Sequence, residues 1–306
     1  MSVTDDRALH TVPGISVAVI GTGSIGQDLV SKIRRSAVLD CALVAGRDPE
    51  SAGLRRAAGL GCPTSADGIG AILAAPRPFD VVFDATNARA HAEHRRLLRS
   101  FDTLLIDLTP SKIGQMVVPT VTGVHAPPEG DVSLISCGGQ ASVPVAHALA
   151  ERFDVRYFEV VSTVASSVAG RATRLNLDEY VATTQQALTV FTGVGDTKAI
   201  LNISPAVPPA TFRTTVHALA PGADPGTVRA VVDEAAERVR EFAPGYRVRG
   251  CEVRGELIVV TLEVRADSEV LPAYAGNLDI IDAAAVLVAE QHAVRLAPAA
   301  RQGVSR

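Results

Sequence analysis

The apolar run Ile15-Ser16-Val17-Ala18-Val19-Ile20 ends in Gly21-Thr22-Gly23-Ser24-Ile25-Gly26, and an amphipathic segment carrying Leu29, Val30 and Ile33 follows. A buried strand, a glycine turn and a helix in that order leave few folds open. Glycines at this spacing let the backbone approach a pyrophosphate, and the helix start offers its unpaired N–H groups to the phosphates. G-x-G-x-x-G alone is a weak signal; flanked by a strand and a helix it becomes a dinucleotide-binding, Rossmann-type fingerprint. A second apolar run, Cys41 to Ala45, ends in Gly46-Arg47-Asp48, where a ribose would be read. An acidic side chain there suits the 2′-hydroxyl of NAD, and an arginine suits the 2′-phosphate of NADP. Arg47 and Asp48 offer both, although Arg-Asp-Pro is also ordinary turn chemistry.

The alternation continues with a strand at Val81 to Thr86, a helix at Ala88 to Arg99 and a strand at Leu104 to Asp107. Short buried strands between helices predict a parallel sheet. Asp84 and Asp107 stand at carboxyl ends of strands, where they can line a cofactor cleft or cap the next helix, and capping is the more common use. Gly123 to Gly130, with Pro127-Pro128, reads as a surface loop. After the helix near Gln140 the strands lengthen: Val155–Val164, Ala199–Ile203, Thr211–Leu219, Arg247–Arg254 and Leu257–Val264. With helices at Leu177–Val190 and Pro225–Phe242, they predict a second, α+β domain on a largely antiparallel or mixed sheet. The apolar-periodic segment opened by Asn277 is expected to return to the first domain, and the tail after Pro298 to fray. The fold class is therefore α/β, with a Rossmann domain over 1–137 completed by a helix over 277–306, and a second domain over 138–276. A chain of 306 residues suits roughly two domains.

Composition excludes several function classes. A net charge of −4 gives no reason to expect nucleic acid. Four scattered cysteines (Cys41, Cys62, Cys137, Cys251) have neither zinc-site spacing nor disulfide-scaffold density, so no metal site and a reducing compartment are expected. The opening residues are polar, and no run approaches the roughly 18 apolar residues of a membrane span. A cytoplasmic protein is expected.

One cysteine is placed differently from the rest. In Ile135-Ser136-Cys137-Gly138-Gly139-Gln140-Ala141-Ser142 a strand-like run (Val132, Leu134, Ile135) delivers Cys137 onto a glycine pair opening a helix. The N–H groups and dipole of a helix start can stabilise a thiolate and an adjacent oxyanion, and the glycines would leave room for substrate. The plainer alternative is a small buried hydrophobe. The nucleotide loop upstream favours the first, because a cysteine and a nicotinamide together suggest aldehyde oxidation through a thioester.

A series of short segments runs through the chain: Gly21 to Gly26, Asp48-Pro49-Glu50-Ser51, Val82 to Thr86, Ile106 to Pro110, Cys137 to Ala141, Asn176-Leu177-Asp178-Glu179, Lys198-Ala199-Ile200 and Leu271 to Ile280. Through them the chain resembles the acylating acetaldehyde dehydrogenases of bacterial aromatic and steroid catabolism. The resemblance implies conversion of a short aldehyde, coenzyme A and NAD to acyl-CoA and NADH. It also implies an acyl-thioester at Cys137 and a phosphate loop at Ser24-Ile25-Gly26, joined to Gly21 and Gly23 of the fingerprint. A second nucleotide-contacting segment would run from Val168 through Ala169, Gly170 and Arg174 to Asn176, and Asn277 would add a further cofactor contact. The second domain would serve dimerisation, giving a homodimer within a larger complex with a 4-hydroxy-2-oxoacid aldolase.

Three positions depart from the family pattern. Arg47 replaces an apolar residue and makes NADP use possible. Arg171-Ala172 replaces Pro-Gly. Arg213-Thr214-Thr215-Val216 stands where the family has Arg-Asp-Thr-Val, so at the catalytic position Thr214 replaces an aspartate implicated in activating the cysteine. A hydroxyl hydrogen-bonds but is no base at neutral pH, and His217 should face the opposite way on the same strand. Two alternatives stay open at this point. An acyl-phosphate or semialdehyde reductase would need an arginine for phosphate, with Arg174 and Arg213 as candidates. A catalytically impaired homologue could serve as structural partner of an aldolase.

Overall fold

The computed structural model describes residues 14–123 and 130–302. The first half alternates strand and helix as β1 (Ile15–Ile20), α1 (Ser24–Arg35), β2 (Leu39–Ala45), α2 (Ala52–Gly59), β3 (Thr64–Ser65), α3 (Ile69–Leu73), β4 (Val81–Asp84), α4 (Ala88–Leu98) and β5 (Leu104–Asp107). Then come β6 (Gln115–Met116), α5 (Pro119–Thr122) and β7 (Asp131–Ser133). Among the described residues these strands form one sheet in the order β3-β2-β1-β4-β5-β7-β6. Every pairing in it is parallel. Val17, Val19, Val81, Phe83 and Ile106 are fully buried, as expected for strands covered on both faces. The order reverses between β1 and β4, which puts the Gly21–Gly26 turn at the switch point where such sheets bind ligands. The sequence did not signal β6, a two-residue edge strand beyond β7, nor the single turn of α5.

The second half holds α6 (Cys137–Arg152), β8 (Tyr157–Ala165), α7 (Arg171–Leu175), α8 (Leu177–Thr192), β9 (Thr197–Ser204) and β10 (Arg213–Leu219). It continues with α9 (Pro225–Arg240), β11 (Tyr246–Arg254), β12 (Leu257–Val264) and α10 (Gly276–Gln302). Its sheet runs β11-β12-β10-β8-β9, with β8 and β9 parallel and the other pairs antiparallel. Alternation sorts its faces. Phe158, Val160, Val164, Val216, Ala218, Ile258, Val260 and Leu262 share one buried cluster with Leu149 of α6, Leu188 of α8 and Val232 of α9. The opposite face carries Val161, Thr163, Arg213, Thr215 and Thr261, which line an open depression.

Helix α10 serves both clusters. Ile281, Ala285, Val288 and Ala289 pack into the core of the first sheet, whereas Ile280 packs into that of the second. The helix extends past Pro298 to Gln302, beyond the point where composition predicts fraying. The loop expected at Gly123 to Gly130 falls, except for its two end residues, outside the described residues. No helix among the described residues is long and apolar enough to cross a membrane.

Candidate active site

Cys137 is the first residue of α6, one position ahead of the glycine pair that the sequence reads as opening the helix. The preceding strand also stops earlier, at Ser133, because Ile135 takes φ 58°, the left-handed region that a β-branched side chain rarely adopts. That turn swings the chain out of the sheet and into the helix. Ser136 caps it, accepting from the Gly139 N–H at 2.9 Å and sharing a 2.7 Å hydrogen bond with the Thr184 hydroxyl of α8. The Gln140 amide donates to the carbonyls of Val117 and Leu134 at 2.7 and 2.9 Å, tying the first turn to the adjacent backbone.

The glycine pair does not leave space for substrate. A Cβ at Gly139 would lie 2.5 Å from Ile135 Cδ1, and one at Gly138 would overlap Tyr180 Oη and come within 2.6 Å of Ser162 Oγ. Glycine is needed because the protein's own groups fill these positions. The Gly139 and Gln140 N–H groups are also committed, to the Ser136 hydroxyl and carbonyl. The backbone donors that reach the sulfur are those of Cys137 and Gly138.

Cys137 is half-buried, and its thiol is pushed up to about 11. Burial is the main cause; Tyr180 and the N–H groups of Gly138 and Cys137 pull the other way. The helix start therefore acts in the sense the sequence suggests but is outweighed by desolvation. Cys41 and Cys62 are buried, and Cys251 is half-buried on β11. The Cys41 and Cys251 thiols are also raised by burial.

The Gly21–Gly26 loop has the shape its glycines require. Gly21 has φ 112°, and a Cβ there would meet the Ala85 carbonyl oxygen at 2.5 Å, so no other residue fits. A Cβ at Gly26 would overlap the Gly21 carbonyl, which brings α1 close against the turn, whereas Gly23 faces open space. Gly23 is the N-cap of α1, and no side chain caps the helix, leaving its first N–H groups for an anion. Ser24 is exposed and Ile25 half-buried. Ile25 packs with Val168 against Leu271, Ala275 and Leu278, so the loop, the turn after β8 and the start of α10 converge.

In the turn after β8 Ala169 is buried and Gly170 exposed, and Asn176 is buried at the N-cap of α8. Asn277 is also buried, and its Oδ1 has no hydrogen-bond partner. An orphaned buried amide oxygen beside an uncapped, glycine-lined helix start fits a nicotinamide dinucleotide. Arg174 donates to the Ala169 carbonyl at 3.0 Å and to Ser166 Oγ at 3.0 Å. Arg47 and Asp48 are exposed after β2, and Asp48 Oδ1 accepts from the Glu50 N–H, which makes it a turn-forming residue as well.

A family model described as "Prokaryotic acetaldehyde dehydrogenase, dimerisation" matches residues 137–272. A protein of Streptomyces griseus named acetaldehyde dehydrogenase is 67% identical over 99% of this chain and 98% of its own length. The chain belongs to the acetaldehyde dehydrogenase family. Relatives of the same name from Pectobacterium atrosepticum (44% identical, covering 90% of this chain and 95% of the relative) and Burkholderia pseudomallei strain 668 (47%, covering 89% and 93%) agree with this. Among solved structures, aspartate semialdehyde dehydrogenase II of Vibrio cholerae, complexed with ASA, aligns with TM-score 0.61 at 13% identity. The alignment covers 92% of this chain and 99% of that one, a likeness of fold.

Within this family member, Thr214 is 1% exposed on β10, opposite Ser162 of β8, and the two hydroxyls are 3.0 Å apart. Alternation separates it from its neighbours as the sequence predicts. His217 lies across from Glu159 on the other face, and Arg213 pairs with Glu263 at 3.0 Å. Asp84 and Asp107 do not cap helices; Asn87 caps α4. Both carboxylates instead fix turns, Asp84 at the Thr86 N–H and Asp107 at the Thr109 N–H. Sequence reading missed Tyr180 and Ser162. Their signals were present: Tyr180, Thr183 and Thr184 share one helical face, and Ser162 is the polar member of an otherwise apolar alternation.

Proposed function

We propose that this chain oxidises acetaldehyde, or a similarly short aldehyde, with NAD and passes the acyl group from Cys137 to coenzyme A. The observation that carries this is the placement of Cys137: a half-buried thiol on the first turn of α6, in contact with Tyr180 of α8, the helix whose N-cap is Asn176. The dinucleotide would be held by the Gly21–Gly26 turn, Ser24 and Ile25, by Val168, Ala169 and Gly170, and by Asn176 and Asn277. When bound it supplies a hydride acceptor. The Cys137 thiolate adds to the aldehyde carbonyl to give a thiohemiacetal, whose oxyanion the Cys137 and Gly138 N–H groups are placed to stabilise. Loss of hydride leaves an acyl thioester on Cys137. The coenzyme A thiolate then attacks that carbonyl, forming acyl-CoA and regenerating the cysteine thiolate.

Thr214 cannot accept the thiol proton at neutral pH, and a missing general base costs on the order of 10² to 10⁴ in rate. Turnover that is slow and rises with pH follows. An acyl-phosphate reductase is disfavoured because both candidate arginines are engaged, Arg174 with the turn after β8 and Arg213 with Glu263. The family description of 137–272 as a dimerisation region supports a homodimer, and the open face of the second sheet is the surface we assign to it. A 4-hydroxy-2-oxoacid aldolase is the proposed further partner, supported by family resemblance. The test is NADH formation from acetaldehyde with and without coenzyme A. Sustained turnover that requires coenzyme A supports the proposal, turnover indifferent to it removes the acylating step, and none with any short aldehyde favours a structural partner.

A further inference from the structure

We infer that Tyr180 is the hydrogen-bond donor that holds the Cys137 thiolate, with the hydroxyls of Ser162 and Thr214 lined up behind it where a charged base is absent. This rests on Cys137 being the nucleophile, as proposed above. Tyr180 is buried, and its Oη makes no hydrogen bond of ordinary geometry within the chain. A buried donor left unpaired opposes folding, so its retention calls for a use.

Its position supplies one. Tyr180 Oη occupies the space a Cβ of Gly138 would fill, so the phenol stands over the first turn of α6, next to Cys137. Ser162 Oγ lies 2.6 Å from that same point and 3.0 Å from Thr214 Oγ1. Thr214 and Ser162 are paired across β10 and β8, so their proximity is set by the sheet register. Three hydroxyls thus lead from the core of the second sheet to the sulfur. Tyr180 is also the side chain that acts on the thiol, pulling it toward ionisation against burial, and no carboxylate, imidazole or ammonium among the described residues joins it.

Burial raises the phenol well above its ordinary value, so Tyr180 keeps its proton throughout the neutral range. It therefore acts as donor and not as base. The thiol proton leaves to solvent, the Tyr180 O–H then donates to the sulfur anion, Ser162 donates to the phenol oxygen and Thr214 donates to Ser162. An ionised aspartate at 214 would instead accept from Ser162 and draw the thiol proton inward through the same hydroxyls, a base-driven route to the thiolate in place of donor stabilisation. Threonine permits the donor direction.

The experiment is the pH dependence of Cys137 alkylation by iodoacetamide, read by peptide-resolved mass spectrometry so that Cys251 is scored separately. Tyr180→Phe should move the Cys137 midpoint to higher pH and slow alkylation at pH 8 by about tenfold or more, as expected for a lost hydrogen bond to a charged group. Its melting temperature should be little changed, because the deleted hydroxyl makes no hydrogen bond of ordinary geometry in the resting protein. Thr214→Val should shift the midpoint the same way by less. An unshifted Tyr180→Phe midpoint overturns the inference. So does a shift accompanied by a comparable change at Cys251 and a lower melting temperature, which marks general loosening. Acylation of wild-type Cys137 by acetyl-CoA is scored independently, so failure of the catalytic reading is distinguishable from failure of the Tyr180 role.

Discussion

His91 on α4 should make this protein lose stability as pH rises above neutrality. It is fully buried, with Nδ1 3.0 Å from Asp84 Oδ2 and 3.5 Å from Asp107 Oδ1, and Nε2 3.5 Å from Asp131 Oδ1. Burial alone would lower its pKa, but hydrogen bonds to Asp131 and Asp84 and the charges of Asp107 and Asp84 prevail, raising it from 6.5 to about 10. A raised imidazole stabilises the fold fully below its unfolded value and loses that contribution as pH climbs through the folded value. Between pH 6.5 and 9 the loss is about 3 kcal/mol. Asp107, held up to about 7 mainly by burial, adds in the same direction, since its neutral form is the one the fold favours. Above pH 9 the buried thiols and phenols begin to contribute, which sets the upper limit of the window. Urea unfolding at pH 6.5, 7.5 and 9 should show a steady fall in wild type and a much flatter profile in His91→Gln. That variant should be less stable near pH 6.5 by on the order of 3 to 5 kcal/mol, the contribution of the raised imidazole that it forfeits, while Asp84 keeps His94 at 2.7 Å and Asp131 keeps Arg95 at 2.8 Å. Equal wild-type stability at pH 6.5 and 9, or an undiminished slope in His91→Gln, would show that a raised His91 does not govern the pH dependence.

Gly138→Ala should cost about 1 to 3 kcal/mol by overpacking against Tyr180 Oη, and adding Tyr180→Phe should recover part of it; equal losses in both backgrounds, read by urea unfolding, would place the strain elsewhere. Arg47→Ile should lower the ratio of NADP to NAD specificity constants, and an unchanged ratio would leave Arg47 a solvated turn residue. Thr214→Asp should raise turnover more at pH 7 than at pH 9, where the thiol needs less help; an unchanged or reduced rate at pH 7 would show that a carboxylate at 214 is not what the site lacks.

The parallel sheet and its Gly21–Gly26 turn were legible because their determinants are local: an apolar run, glycines whose Cβ would strike neighbouring backbone, and a helix directly after. The alternation along β10 likewise separated Thr214 from His217 before any pairing was known. Other features depend on contacts distant in sequence. The filling of the Gly138 position by Tyr180, 42 positions later in the chain, and the meeting of Ser162 with Thr214 are set by helix packing and strand register. The balance at the thiol was also hidden, since a helix start announces its dipole in the sequence whereas the degree of desolvation emerges only on packing. Ile135 was misread as strand because its side chain favours one, while the turn into α6 holds it at positive φ.

In the proposed reaction Cys137 carries the acyl group. The most direct measurement is intact-protein and peptide mass spectrometry after brief incubation with acetyl-CoA and an acid quench. One acetyl group is expected on the peptide containing Cys137, released by added coenzyme A and lost in Cys137→Ser. An acetyl group on Cys251, or labelling that persists in Cys137→Ser, would contradict it.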